Sequence, residues 1–304
     1  MGDLGELWYG LDANQVVNFF SFIRERENIR LRRLRRQPYP WTEDPILCSY
    51  RFTNVKRKHD KTTQWAIKNW YEPNKENENL GAQFFNCAVF RYFGTIEFAK
   101  RYGWSESFYP QKAIKVVEQL RAEGKPAFTS AYVITNSGIK APKEEVVANN
   151  FLMPLFVKRE EVVEIAQDTK SWKAVFEYLK EFEGFGGTGF MAKEVLQDTM
   201  FTAVLQDCID ADTWSPCGPG ATRGIEILLG EHDFNADAKK RIKGLTESKK
   251  LSIMKYLRML SLHGFWPKRW EPLTVHDIQF SLCEFAKYMR IKNGCRAKRK
   301  YHPT

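Results

Sequence analysis

Hydrophobic residues recur every three to four positions along most of this chain, a period that predicts helix after helix. Residues 11–36 read as one long helix with Asp12 or Asn14 as its cap. Gln37-Pro38-Tyr39-Pro40-Trp41 ends it, because proline removes a helical donor and clashes with the preceding turn. Residues 44–70 return to helical spacing, 74–79 read as a polar loop, and 86–92 form an apolar helical stretch that carries Arg91. A buried arginine needs a partner, so the expected use of Arg91 is a structural ion pair. Further helices are predicted at 109–124, 146–155 and 159–179, with a loop at 136–145. Residues 128–135 are apolar and rich in β-formers, and periodicity does not decide between a short strand and a buried helix. Residues 237–262 read as a basic helix, broken by His263-Gly264-Phe265-Trp266-Pro267. Residues 274–290 are a well-patterned helix with Thr274 as cap and Asp277 in its first turn; Glu284, Lys287 and Tyr288 share one face. The expected fold is all-α, with a lobe over residues 1–160 and a second over 161–304. DNA would lie in the cleft between them, and the last helix would pack back across both.

The densest local chemistry lies between residues 178 and 229. Gly184, Gly186, Gly187 and Gly189 sit between two amphipathic patterns. Glycine supplies positive φ and close backbone approach, so a sharp helix-hairpin-helix turn fits, with amides turned outward as a phosphate cradle. A flexible loop joining two helices reads the same glycines. Asp210-Ala211-Asp212-Thr213 follows, and then Cys217-Gly218-Pro219-Gly220 opens a helix that contains Arg223. Proline is tolerated at the first helical position, and Gly218 and Gly220 leave that helix start bare for an anion. Arg223, one turn in, could fork onto a phosphate. The plainer readings are an Asx-turn for Asp212 and a surface ion pair for Arg223.

Charge sharpens the picture. The 304 residues carry a net charge of +10, are 43% hydrophobic, and cluster their positive charge at both ends. Arginines stand at 24, 26, 30, 32, 33, 35 and 36, and the tail holds Lys298, Arg299 and Lys300. Such clusters suit a polyanion, nucleic acid first, so Arg32, Arg33, Arg35, Arg36 and the tail are candidate DNA contacts together with the hairpin glycines. No run of 18 apolar residues predicts a membrane span, and the first residues do not read as a secretory signal. The six cysteines are scattered without CxxC spacing, so reduced thiols in a cytoplasmic protein are expected, with no zinc site. No cofactor or metal is called for. GxxxxGK[ST] does not occur, which argues against P-loop phosphoryl chemistry within this sequence.

Residues 179–192 followed by Asp212-Thr213 resemble the helix-hairpin-helix, Gly/Pro loop and aspartate of the base-excision DNA glycosylase superfamily. There the hairpin grips the DNA backbone and the aspartate works on an extruded nucleotide. The chain departs from that pattern in its extra hairpin glycines, in lacking the hairpin lysine of bifunctional members, and in lacking their iron–sulfur cysteines. Tyr50-Arg51-Phe52-Thr53-Asn54-Val55, Asn86 with Phe90-Arg91, Ala131-Tyr132, Gly218-Pro219-Gly220-Ala221 with Arg223-Gly224, and Leu282-Cys283-Glu284-Phe285 with Lys287-Tyr288 carry a closer resemblance. Together they are similar to the alpha-glutamyl/putrescinyl thymine pyrophosphorylase family, which includes the amino acid:DNA transferases of phages with hypermodified thymines.

That resemblance implies a transferase that replaces the (pyro)phosphate of 5-(pyro)phosphomethyl-deoxyuridine in DNA with a free amino acid or polyamine. A carboxylate must take a proton from the amine, and cationic or amide donors must meet the departing phosphate. Asp212 and Arg223 are the implied catalytic pair. Arg51, Asn54, Arg91, Tyr132, Gly218 and Gly220 are the implied substrate contacts. A phage-encoded enzyme of this kind would work in the host cytoplasm. A glycosylase excising a modified pyrimidine and a DNA-binding protein without chemistry are the alternative readings.

Overall fold

The computed structural model describes residues 10–232 and 244–295. In chain order the helices are α1 Ala13–Leu34, α2 Pro45–Ser49, α3 Lys61–Ala66, α4 Leu80–Phe93, α5 Ile96–Tyr102, α6 Pro110–Ala122, α7 Lys143–Glu145, α8 Met153–Val157, α9 Arg159–Thr169, α10 Trp172–Leu179, α11 Phe190–Thr199, α12 Pro219–Leu228, α13 Glu247–Leu260 and α14 Val275–Lys292. Wider π-type turns occur at Ile67–Tyr71, Val146–Leu152 and Ser261–Phe265. Among the described residues there is no strand, so the architecture is all-α.

Most predicted helices form where the pattern puts them, and their caps explain why. Asp12 accepts from the Gln15 amide at 2.9 Å and starts α1. Thr274 and Asp277 make the full reciprocal capping box of α14. Four expectations change. Of the helix read over 237–262, residues 237–243 lie outside the described residues and α13 starts at Glu247, capped by Thr246. Residues 50–56 are extended rather than helical, because α14 takes their backbone groups: Lys287 donates to the Arg51 carbonyl and Glu284 accepts from the Thr53 amide. Residues 128–135 form neither strand nor helix. The Thr129 amide donates to the Phe93 carbonyl at 2.8 Å and the Tyr132 hydroxyl to the Arg91 carbonyl at 2.5 Å, tying this loop to the end of α4. The stretch 159–179 breaks at Lys170, which has φ +47°. Asp210 accepts from the Trp172 and Lys173 amides there, and Ser171 caps α10.

The chain groups into two compact units, residues 1–60 with 212–304, and residues 61–211. The expected cut at 160 falls inside the second unit, because a helix period does not report which helices share a core. In the first unit α14 packs on α1, α2, α12 and α13. Phe19 and Phe22 of α1 meet Phe285 and Tyr288 of α14 edge-on or tilted, with ring centroids 4.9–5.5 Å apart for the closest pairs. The approach of α12 to α14 is closest at Gly224, where a Cβ would lie 2.5 Å from the Leu282 carbonyl oxygen. Lys56 is buried beside α14, donating to the Pro272 carbonyl at 2.7 Å and to Asp277 at 3.2 Å. Burial pushes the Asp277 carboxyl above its ordinary pKa, and the Lys56 ammonium opposes that.

The second unit is built around α4, whose residues 81–93 are all buried. Phe84, Phe85, Phe90 and Phe93 give it an aromatic surface on several sides. One charge sits in that apolar setting. Arg91 is 4% exposed; its guanidinium donates to Asp198 of α11 at 2.5 Å and to Thr63 of α3 at 2.8 Å. The other carboxylate oxygen of Asp198 accepts from the Tyr71 hydroxyl at 2.6 Å. Burial works against the charge on Arg91, yet the adjacent Asp198 carboxylate leaves its pKa raised. Burial, followed by the same carboxylate, holds the Tyr71 hydroxyl far above its usual range.

Two stability tests follow. Gly224→Ala has a helix-propensity gain of about 1 kcal/mol. The missing space against Leu282 outweighs it, so a net loss of about 1–2 kcal/mol is expected in urea unfolding, within the usual cost of overpacking. Asp198→Ala leaves a buried guanidinium without its counter-charge and is expected to cost about 3–5 kcal/mol by the same measurement.

Candidate active site and nucleic-acid contacts

The glycine turn joins α10 to α11 inside the second unit, and each of its glycines has a different reason to be there. Gly184 has φ +83°, and a Cβ on it would lie 2.5 Å from the Phe151 ring and 2.7 Å from the Tyr92 hydroxyl. Gly189 caps α11 at φ +67° with the Phe176 ring against it. Gly187, at φ +61°, faces open space. The turn is pinned by Phe185, fully buried, whose amide donates to Phe182, and by the Gly189 amide, which donates to Gly186. Among the described residues no protein acceptor takes the amides of Gly186, Gly187 or Thr188. Successive free amides at a helix start form an anion-binding concavity. The turn is therefore shaped by packing on its inner side and leaves three successive amides without a protein acceptor among the described residues.

In the first unit the loop before α12 carries the acidic candidate. The Asp212 side chain is 53% exposed, and its Oδ2 accepts from the Arg258 guanidinium of α13 at 3.0 Å. Sequence reading missed Arg258, because only the folding of α13 brings it to a residue 46 positions away. Gly218 caps α12 with no side-chain bond, and nothing lies within 4 Å of where its Cβ would be. Gly220 differs from expectation: a Cβ there would sit 3.0 Å from the Cys283 sulfur, so this glycine lets α12 pack on α14 rather than baring the helix start. Arg223 is half-buried in α12 and meets no carboxylate among the described residues. The paired partner of Asp212 is thus Arg258, while Arg223 keeps its charge unengaged.

The remaining candidates divide sharply. Arg91 is locked in the core on Asp198 and Thr63, so it serves as the structural ion pair and not as a substrate contact. Asn54 spends its side chain on the His59 carbonyl and on Asp60. Tyr132 is half-buried, with its hydroxyl on Arg91 and its ring edge-on to Phe190 at 5.2 Å. Arg51 projects into solvent. On α1, Arg32 bonds Glu25 at 2.8 Å and the Trp41 carbonyl, and Arg33 lies over the Trp41 ring at 5.0 Å. Arg35 and Arg36, past the end of that helix, are exposed without a side-chain partner among the described residues. Lys298, Arg299 and Lys300 lie outside the described residues. Among the described residues no three His, Cys, Asp or Glu side chains group as a metal site, none of the six cysteines forms a disulfide, and no helix is long and apolar enough to cross a membrane.

Comparison with known proteins adds a family. The 5-hmdU DNA kinase of Bacillus phage SP10 is 27% identical to this chain over 230 residues, 69% of the chain. The chain spans 36% of that relative's length, about a third. No solved structure matches. The family described as "5-hmdU DNA kinase, helical domain" matches residues 14–296. That match takes in nearly the whole sequence: the chain belongs to the 5-hmdU DNA kinase helical-domain family.

Proposed function

We propose that this chain acts in DNA hypermodification, on a thymine position that carries a 5-hydroxymethyl group or its phosphorylated form. The observation that carries this reading is the family match over residues 14–296, which joins the chain to proteins named for 5-hydroxymethyl-deoxyuridine in DNA. The net charge of +10 suits a DNA partner. Free amides at the glycine turn and the exposed Arg35 and Arg36 offer phosphate contacts of the kind that position a duplex without reading its sequence.

For the chemistry, we take the reaction that follows phosphorylation. The nitrogen of an amino acid or polyamine attacks the 5-methylene carbon. The carbon–oxygen bond breaks, and the (pyro)phosphate departs with the bonding electrons. The amine proton passes to the Asp212 carboxylate, which is exposed and held by Arg258. Arg223, half-buried and without a carboxylate partner among the described residues, stands one turn beyond the open Gly218 cap of α12 and receives the growing negative charge of the leaving group. The reacting carbon must be lifted from the base stack so that nucleophile and leaving group can align.

A second reading has its own support. The phage relative is named a kinase, and this chain matches only 36% of it. The helical chain would then present 5-hydroxymethyluracil to a phosphoryl-transfer step. The two readings predict different products. Incubate the chain with DNA containing 5-phosphomethyl-deoxyuridine and a panel of amines, and separately with DNA containing 5-hydroxymethyl-deoxyuridine and ATP; then digest and weigh the nucleosides. Transfer yields an amine-substituted nucleoside in the first reaction. A phosphorylated nucleoside only in the second supports the kinase-associated role and overturns transfer. Asp212→Asn is expected to reduce transfer by about 10²–10⁴-fold. Its stability should stay within about 1 kcal/mol of wild type, because the pair it breaks is solvent-exposed.

A further inference from the structure

Residues 33–40, where α1 ends, are all exposed. They include Arg33, Arg35 and Arg36 and no acidic residue. The segment is nonetheless held in shape. The Gln37 amide donates to the Arg32 carbonyl at 3.0 Å and the Arg36 amide to the Arg33 carbonyl at 2.9 Å, the paired bonds that close a helix through a left-handed residue. The Trp41 indole donates to the Gln37 carbonyl at 2.7 Å. Arg33 lies over the Trp41 ring at 5.0 Å, and Tyr39 meets the same ring edge-on at 5.3 Å. Tyr39 stays 45% exposed.

The left-handed residue is Arg36, with φ +54°. Glycine is the usual residue there, because a Cβ is strained in that conformation. Basic residues at a helix C-terminus complement its dipole, but Arg32 and Arg33 already do so in the last turn of α1. Arg36 lies beyond that turn and costs stability that glycine would not. Strain kept at an exposed, charged residue points to a use for the charge.

We infer that this tip is a seat for a single strand of DNA, with phosphates on Arg35 and Arg36 and an unstacked base against Tyr39. Neither arginine has a side-chain partner among the described residues, so both guanidinium groups are available. Cations interleaved with exposed aromatic rings suit a strand whose bases are free to stack on protein. A duplex offers the same phosphates but keeps its base faces covered by neighbouring pairs. The choice of DNA rests on the proposed role in thymine modification, where the strand beside an extruded base is locally unstacked. The strain, charge and aromatic exposure do not rest on it.

The test measures binding apart from turnover. Titrate the full chain into a fluorescein-labelled single strand of about 12 nucleotides, and into the matching duplex, by anisotropy over a salt series. The single strand should bind more tightly. Arg36→Gly should weaken strand binding and lower the slope of log affinity against log salt by about 0.7, the loss of one phosphate contact. Its unfolding midpoint should equal or exceed that of wild type, so weaker binding is not misfolding. Tyr39→Ala should weaken strand binding about five- to a hundredfold with the salt slope unchanged, and Tyr39→Phe should bind as wild type. Lys170→Gly removes a positive charge from another left-handed helix end, in the second unit, and should leave strand binding unchanged. Equal losses in Lys170→Gly and Arg36→Gly would reduce the effect to net charge and overturn the inference. Duplex bound as tightly as single strand, with Tyr39→Ala affecting both alike, also overturns it. If DNA binds and neither Arg36→Gly nor Tyr39→Ala weakens it, the seat is wrong and the DNA reading stands. If both weaken strand binding while no modified nucleoside forms, the reaction is wrong and the seat stands.

Discussion

One ion pair sits where water cannot reach it. Arg91 and Asp198 lie at 4% and 0% exposure, 107 residues apart in sequence, and meet at 2.5 Å. Neither charge is tolerable alone in that setting, so α4 and α11 must be placed together or not at all. Thr63 accepts from Arg91 and Tyr71 donates to Asp198, which adds α3 and its π-type turn to the same arrangement. The constraint carries further along the chain. Tyr92 is the next residue of α4, and α11 is the helix that the glycine turn opens. Positioning the buried pair therefore positions the turn against Tyr92 and Phe151.

The first unit solves a different problem. Here the close contact is of glycine backbone, with Gly224 of α12 against the Leu282 backbone of α14 and Gly220 against the Cys283 side chain. That contact sets how the start of α12 is presented. The Gly218 cap stays open, Arg223 stays unengaged, and Asp212 is steadied by Arg258 in an exposed pair. An exposed pair of this kind contributes little to stability. It holds the Asp212 carboxylate while leaving it accessible, as the proposed proton transfer requires, whereas the Arg91–Asp198 pair is enclosed.

Local signals were read well from the chain itself. The caps at Asp12 and Thr274, the stop at His263-Gly264, the proline start of α12 and the glycine turn are all consequences of near neighbours, so spacing and residue type suffice. The structural use of Arg91 was also legible, since a guanidinium in an apolar helix must find a partner. Its partner was not. Asp198 sits in a polar run, Gln197-Asp198-Thr199, that looks solvent-facing by composition and is buried in fact.

What sequence alone determined is the all-helical character, the glycine turn and the proline start of α12, because each depends on residues within a few positions of one another, together with the basic charge, which is a property of composition. Tertiary structure decided which chain segments share a core, that residues 50–56 stay extended under α14, that Gly220 serves packing while Gly218 stays open, and that Asp212 meets Arg258. Each of these depends on groups brought together across tens to hundreds of residues. Helical periodicity states which face of a helix is apolar; it does not state which other helix will cover it.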